Sequence, residues 1–429
     1  MYCSYRLRDI GKGKDEMAHT RISPIDFLIH EQTKDMLDTE KRMLNDRDSY
    51  LRSIRETLEK SSLPPHQINR MMQDTEEEFD GLPTPYQNPG AYKLMMHLIN
   101  TLKQGLDSFV NSSDGSEVEW KEFPVFGTAS IREVSAYITN TASPLIILSN
   151  SIFGLANQIS KAIAWAYPVV QAGKKLSYST NVDEIKKRLD DFKEPSGRFA
   201  DLFFSYFMGY NTHASEQYYL EKRYMDMQVT FRDSFEIFVL AHEYSHYYFE
   251  HETFMIGGNE FSAEEVEGVK EKVIDNYFQE FEADAFGAKL TISAIQKKHD
   301  VDKTLAVAGV YLCLKSLELI RRVNNLRDGK DEDHFDSMTH PPFEMRYEYF
   351  RELVLEDDTE RTGSFLDTID FIVDYYWAEF KSVYCLVEER FKSRLDLQIR
   401  DLIGKEWVHK VIQGIIYDMY PKSIEIERF

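Results

Sequence analysis

The residues best suited to chemistry in this chain stand close together at His242, Glu243 and His246, in the pattern H-E-x-x-H. Residues four apart on a helix project from the same face, so the two imidazole rings could bind one metal ion. The glutamate between them points off that axis, where it can reach a water molecule beside the metal rather than the metal itself. The spacing therefore predicts half of a zinc site in a metal-dependent hydrolase, most typically a peptidase.

The helix that would carry this pattern also has a simpler interpretation. With 12 histidines in 429 residues, H-E-x-x-H arises by chance in roughly a few per cent of such chains. Phe235, Val239 and Phe249 continue the apolar stripe that holds both histidines, so two core histidines bonded to carbonyl groups are the alternative. Asp233 with Glu236 resembles a capping box, which predicts that the helix begins just upstream.

A second helical stretch offers a third ligand. Glu280 and Asp284 are four apart and share a face, whereas Glu282 should face elsewhere. Glu280 would complete a His₂Glu site with an open fourth position, and Asp284 could accept the free N–H of a ligand histidine. Small residues nearby would let this helix approach its neighbour closely: Ala283, Gly287 and Ala288. The alternative is a solvated acidic face, because the stretch is rich in glutamate.

Other zinc signatures are absent from the sequence. Phe249 and Glu252 occupy the positions where a metzincin needs glycine and its third histidine. His251 follows His246 by five residues, so on a continued helix it points away from the pair, and we expect it to face solvent. No pair of cysteines has the spacing of a zinc ribbon or finger.

Three segments, in this order, resemble the M48 family of gluzincin metallopeptidases. They are H-E-x-x-H at 242–246, the E-x-x-x-D helix at 280–287, and T-H-P-x-x-x-x-R from Thr339 to Arg346. The family includes membrane CAAX-prenyl endopeptidases, HtpX-type proteases and Oma1-type proteases. The resemblance covers about residues 205–350, roughly a third of the chain. A weaker resemblance, carried by little beyond the H-E-x-x-H helix, is to Lit-like bacterial peptidases.

The resemblance implies roles for these residues. It implies three Zn²⁺ ligands: His242, His246 and Glu280. Glu243 would be the general base, and His340 would lie near the metal, either aiding the transition state or capping the open position. Arg346 would tie the third segment to the acidic residues of the site. Without the resemblance, residues 339–342 indicate only a helix start with proline in its first turn.

The chain departs from the family in two respects. Most of these M48 enzymes are membrane proteins, and the gap between His246 and Glu280 is shorter than expected for them. A soluble zinc-dependent endopeptidase with an added helical region fits better, with protein or peptide substrates. Two alternatives stay open: a latent defence or regulatory protease that needs a trigger, and an inactive or non-proteolytic metalloprotein that acts as a sensor or binding module.

The composition of the chain indicates which partners and which cellular compartment to expect. Lys+Arg 51 against Asp+Glu 73 gives a formal charge of -22, which argues against nucleic acid as a partner. Three widely separated cysteines (Cys3, Cys313 and Cys385) and an N-terminus without an apolar signal core predict a cytoplasmic protein. The apolar stretches 144–170 and 305–320 contain polar residues and predict buried helices rather than membrane spans.

The predicted fold is mainly α with a small β-sheet, a zincin-type metallopeptidase core embedded in a larger helical protein. Residues 1–193 would form a helical N-terminal region of unknown role, 194–355 the metallopeptidase core, and 356–429 a C-terminal helical region packed on it. Apolar and polar residues alternate from Met225 to Phe231, which predicts a strand just before the metal helix. Its edge could pair with an extended peptide substrate, or it could be an ordinary core strand.

Overall fold

The computed structural model describes most of the chain. The described residues are 22–34, 46–59, 64–78, 81–112, 121–129, 134–172, 175–209, 212, 215–251, 263–299, 301–335, 340–355, 359–392 and 405–420. Thr339, with which the third predicted segment begins, lies outside them, as does Cys3.

Helices dominate the described residues, and two small sheets complete them. The helices are α1 (Pro24–Lys34), α2 (Arg47–Glu59), α3 (Pro65–Glu78), α4 (Pro89–Ser112), α5 (Asn150–Ala166), α6 (Val182–Asp191), α7 (Glu194–Gly209), α8 (Lys222–Tyr248), α9 (Ala263–His299), α10 (Lys303–Arg327), α11 (Phe343–Leu355), α12 (Thr359–Lys392) and α13 (Lys405–Met419). The strands are β1 (Val125–Ala129), β2 (Ala136–Asn140), β3 (Pro144–Ser149), β4 (Val169–Ala172) and β5 (Lys175–Tyr178). The predicted fold class, mainly α with a small β-sheet, is confirmed.

The larger sheet has the order β1-β3-β2, with β3 parallel to β1 and antiparallel to β2. Side chains of a strand alternate between faces, and β3 follows this rule with two buried faces. Ile146 and Leu148 join the main core, whereas Leu145 and Ile147 pack with Leu28 of α1 in a smaller cluster. The sheet is therefore covered by α1 on one side and by the main core, with α8, on the other. The smaller sheet is a hairpin of β4 and β5.

Helix α8 is the central element of the core. It packs against α4, α5, α9 and α10 and against β2 and β3, and most of its residues from Met227 to His246 are buried. The approach of α10 is close, because a Cβ built at Gly309 would lie 2.5 Å from the Ser234 side chain. A helix buried on nearly all sides holds its side chains in place, so α8 is a rigid support for any site at its C-terminal end.

Two predictions about local structure are wrong, and a third is right only in part. Residues 225–231 form no strand but the second and third turns of α8, since buried Tyr224, Met227 and Phe231 recur at helical spacing. Because α8 begins at Lys222, Asp233 and Glu236 are buried in mid-helix and form no capping box. Stretch 144–170 contains the predicted buried helix as α5, but it begins with β3, and β4 starts at its end.

The predicted buried helix at 305–320 corresponds to α10. None of the described helices is both long enough and apolar enough to cross a membrane. One continuous apolar core combines side chains from Met95 to Tyr420. The division at 193/194 and 355/356 stays a prediction, and the N-terminal region predicted to be helical also contains the five described strands.

Candidate metal centre

The C-terminal half of α8 and the middle of α9 meet at very short range. Gly287 of α9 makes this contact: a Cβ at this position would lie 3.0 Å from the backbone nitrogen of His242 and 3.2 Å from its Cα. Backbone atoms inside a helix cannot move aside as the tip of a flexible side chain can. Glycine at 287 therefore brings the two helices close enough for side chains of both to converge on one point.

Three buried side chains meet at that point: His242, His246 and Glu280. The Nε2 atoms of the two histidines are 3.1 Å apart. Oε2 of Glu280 lies 3.5 Å from His242 Nε2, and its Oε1 lies 3.4 Å from His246 Nε2. Two ligands on bonds of roughly 2.0–2.1 Å to one tetrahedral metal lie about 3.3–3.4 Å apart, so these separations are compatible with a metal site.

The hydrogen bonding of Glu280 is also compatible with a metal ion at this point. Oε2 of Glu280 is buried and accepts no well-directed hydrogen bond from the described residues, although Nη1 of Arg346 lies 3.8 Å away. A buried carboxylate oxygen without such a partner is costly unless a cation compensates it. Two imidazole nitrogens and one carboxylate are also a donor set that zinc prefers. The group could therefore hold a metal ion.

His242 is supported from the side facing away from the site. Its Nδ1 lies 3.0 Å from Oδ1 of Asp284, within hydrogen-bond distance although the angle at the ring is poor. Arg346 of α11 donates two hydrogen bonds to the same carboxylate, from Nε to Oδ2 at 2.7 Å and from Nη2 to Oδ1 at 2.6 Å. Side chains of Asp284 and Arg346 are each 1% exposed. This set, His242–Asp284–Arg346, is called the inner branch below.

His246 is supported differently. Its Nδ1 lies 2.9 Å from Nδ1 of His251, and Nε2 of His251 lies 2.9 Å from Oε2 of Glu282. His251 is 5% exposed, so the prediction that it faces solvent is wrong, whereas Glu282 is 55% exposed. The prediction failed because α8 ends at Tyr248, so helical spacing no longer applies at residue 251. The set His246–His251–Glu282 is called the outer branch.

His340 reaches the same centre from the segment before α11. Its Nε2 lies 3.4 Å from Oε1 of Glu280, and its side chain is 13% exposed. Burial is the main reason that the pKa of His340 is lowered to about 4, although Glu280 opposes the shift. The ring is therefore neutral near pH 7.

The electrostatic environment favours a cation. Burial alone raises the pKa of Glu280, but the nearby His340, His246 and His242 hold it well below its usual range. Burial likewise opposes charge on His246, yet Glu280, Glu243 and Asp284 raise its pKa overall. Glu243 itself is fully buried in α8 between the two histidines. Carboxylates and imidazole rings that are buried together are the groups with which proteins stabilise a bound metal ion.

The segment that carries this site resembles a known protein family. Residues 223–365 match the model of the family Peptidase U49. The match spans α8 to the start of α12, with every residue of both branches, and covers a third of the chain. It indicates a peptidase, but it does not indicate an M48-type or gluzincin enzyme in particular. No curated protein and no solved structure matches significantly.

The seven residues that the sequence predicts for this site all lie in or beside it. They are His242, Glu243, His246, Glu280, Asp284, His340 and Arg346. The other two members of the outer branch, His251 and Glu282, are not among the predicted residues. The end of α8 at Tyr248 turns His251 back toward His246, and the sequence gives no sign of this turn.

Proposed function

We propose that this protein is a zinc-dependent endopeptidase of the gluzincin type, with His242, His246 and Glu280 as the metal ligands. The observation that carries the proposal is the convergence of these three buried groups, 3.1–3.5 Å apart, inside the segment that matches a peptidase family. A cytoplasmic location stays a prediction.

Zn²⁺ bound there would act as a Lewis acid, polarising the peptide carbonyl and lowering the pKa of water near it. Glu243 would take the proton of the attacking water and later pass it to the leaving amine. The inner branch would hold the His242 ring in the tautomer that leaves Nε2 free, because Nδ1 carries the proton beside Asp284. Arg346 would keep that carboxylate ionised and oriented.

His340 has two roles that the geometry supports. A neutral ring 3.4 Å from Glu280 could stabilise the negative charge that develops on the carbonyl oxygen. The same ring could instead fill the fourth coordination position and keep the enzyme latent. His340→Ala distinguishes the two: hydrolysis falls by about 10²–10³-fold if the ring stabilises the transition state, and it rises if the ring blocks the site.

The proposal is tested by metal analysis and hydrolysis with purified full-length protein. Wild type should contain about one equivalent of zinc, cleave an unfolded protein substrate, lose this activity with a chelator and regain it when Zn²⁺ is added. His246→Ala should contain little zinc, because two remaining ligands hold the metal weakly. His30→Ala, which removes an exposed histidine of α1, is the matched control and should behave as wild type. Unchanged zinc content in His246→Ala would refute the ligand assignment.

A further inference from the structure

The C-terminal end of α8 has a structure that bears directly on His246. The N–H of Glu250 donates to the carbonyl oxygen of Tyr247, and the N–H of His251 donates to that of His246 at 3.0 Å. These are the two bonds of a Schellman motif, which ends a helix and turns the chain back on its last turn. The motif brings His251 beside His246 although the two are five residues apart.

The turn needs an uncommon backbone conformation. Glu250 has φ 56, and among the described residues it is the one residue other than glycine with positive φ. This position of the motif is usually glycine, because other side chains are strained there by about 1 kcal/mol. Lys121 pairs with the largely exposed Glu250 carboxylate at 2.6 Å. The left-handed turn at Glu250 places His251 beside His246, and backbone strain of this kind is typically found at functional sites.

The proton positions along the outer branch follow from its contacts. Nε2 of His246 faces Glu280 and His242, so it must carry the lone pair if it binds a metal. Its Nδ1 then carries the proton and donates to Nδ1 of His251. His251 in turn carries its proton on Nε2 and donates it to the carboxylate of Glu282, which can only accept. Each donor thus has an acceptor, and one set of tautomers satisfies the chain.

The His251 ring is fixed from other sides as well. It stacks on Phe249 with ring centroids 5.6 Å apart and meets the edge of His246 at 5.0 Å. Ring packing and the two hydrogen bonds together leave the ring little rotational freedom. A ring so restrained can hold the direction of the His246 lone pair, which is the task that Asp284 has for His242.

We infer that His251, oriented by Glu282 and placed by the left-handed turn at Glu250, is a positioning residue for the metal ligand His246. The inference rests on the proposed function, because it concerns how well that site holds Zn²⁺. Loss of such a partner typically costs 10–100-fold in metal affinity. His251 itself binds no metal and touches no substrate in this assignment.

The test measures Zn²⁺ affinity by competition with a chromogenic chelator, using the full chain. His251→Ala should weaken binding by about 10–100-fold. His251→Asn should restore part of it, because its amide oxygen can accept the proton of His246 Nδ1, which separates positioning from mere packing. His30→Ala should match wild type. Circular dichroism and the melting temperature show whether each variant is folded.

Two variants of Glu250 test the turn without changing either ring. Both lose the ion pair with Lys121, but glycine favours the left-handed conformation and a β-branched residue opposes it. Glu250→Gly should keep the affinity of wild type, whereas Glu250→Val should lose affinity as His251→Ala does. Wild-type affinity in both His251→Ala and Glu250→Val would overturn the inference while leaving the proposed function intact. Absence of Zn²⁺ binding by wild type itself would overturn the proposed function, and the inference with it.

Discussion

The inner and outer branches give the two histidines of one site the same kind of support under different conditions. In both branches, a hydrogen-bond acceptor lies beside Nδ1 of the histidine that faces the site. A charged side chain then contacts that acceptor on its far side. The inner branch ends in Arg346 with 1% exposure, the outer in Glu282 with 55%. A buried charge must be neutralised by its partner, whereas an exposed one is stabilised mostly by water. Stability should therefore depend on the inner branch, and the outer should affect metal binding with little effect on folding.

The largest effect is expected at Arg346. Arg346→Ala leaves the buried Asp284 carboxylate without its cation, which should lower the free energy of unfolding by about 3–5 kcal/mol. Arg346→Lys keeps the charge but loses the two parallel hydrogen bonds, so its loss should be smaller. Urea unfolding of wild type, both variants, Asp284→Asn and the double variant Arg346→Ala/Asp284→Asn gives the coupling energy between the two residues. A loss below about 1 kcal/mol in Arg346→Ala would remove the distinction between the branches.

Glu236 is a buried carboxyl group that belongs to neither branch. Its Oε2 has no hydrogen-bond partner among the described residues, and burial raises its pKa to about 8, although Arg232 opposes this. The folded protein then keeps a proton that the unfolded chain loses, so stability should fall as pH rises from about 4.5 to about 8.

The variant Glu236→Gln has no carboxyl group to titrate at this position, so it should not lose stability in this way as pH rises. Its stability relative to wild type should therefore increase between pH 5 and pH 8, by on the order of 3 kcal/mol. Denaturant titrations at several pH values measure the difference, with the exposed Glu348→Gln as the control that should show no such trend. A difference that does not change with pH would show that the carboxyl group is ionised when folded.

The close approach of the helices supports the inner branch more than the outer. Gly287→Ala would place a methyl group 3.0 Å from the backbone of His242, so α8 and α9 must separate by a few tenths of an ångström. We expect a loss of about 1–3 kcal/mol in unfolding free energy and weaker Zn²⁺ binding. Ala288→Gly is a control for altered helix propensity in the same turn. Equal melting temperatures for Gly287→Ala and wild type would contradict a tight contact at this point.

The smallest effect is expected at Glu282. Glu282→Gln still offers an oxygen to Nε2 of His251, so the tautomers are kept and only the charge is lost. Because the group is more than half exposed, unfolding free energy should change by less than about 0.5 kcal/mol. Zn²⁺ affinity should fall only a few-fold. If Glu282→Gln destabilises the protein as strongly as Arg346→Ala does, the two branches are equivalent after all.

The sequence was sufficient for the parts of this site that depend on regular helices. Spacing of four residues places His242 with His246 and Glu280 with Asp284, and small residues near Gly287 predict close helix packing; the distances agree with this geometry. The fold class follows from the same long helical patterns. No pattern in the sequence indicated that α9 and α11 would meet at Arg346; that contact was expected from a family resemblance.

The failures have physical causes. Alternation from Met225 to Phe231 suits a strand, but those residues also continue the buried stripe of α8, and packing on α5 and α10 makes the helix the stable choice. His251 was misplaced because a left-handed residue other than glycine ends the helix, and glutamate at 250 gives no sign of this. Asp233 was mistaken for a helix start, whereas it is a buried partner of Lys298 and His299.

Comparison of wild type with Glu243→Gln tests the central claim most directly. Zinc content and hydrolysis of an unfolded protein should be measured on the same samples. The account predicts equal zinc in both proteins and a loss of hydrolysis by at least about 10²–10⁴-fold in the variant, because Glu243 moves the proton and does not bind the metal. Full hydrolysis by Glu243→Gln, or hydrolysis by wild type that continues after complete removal of the metal, would contradict it.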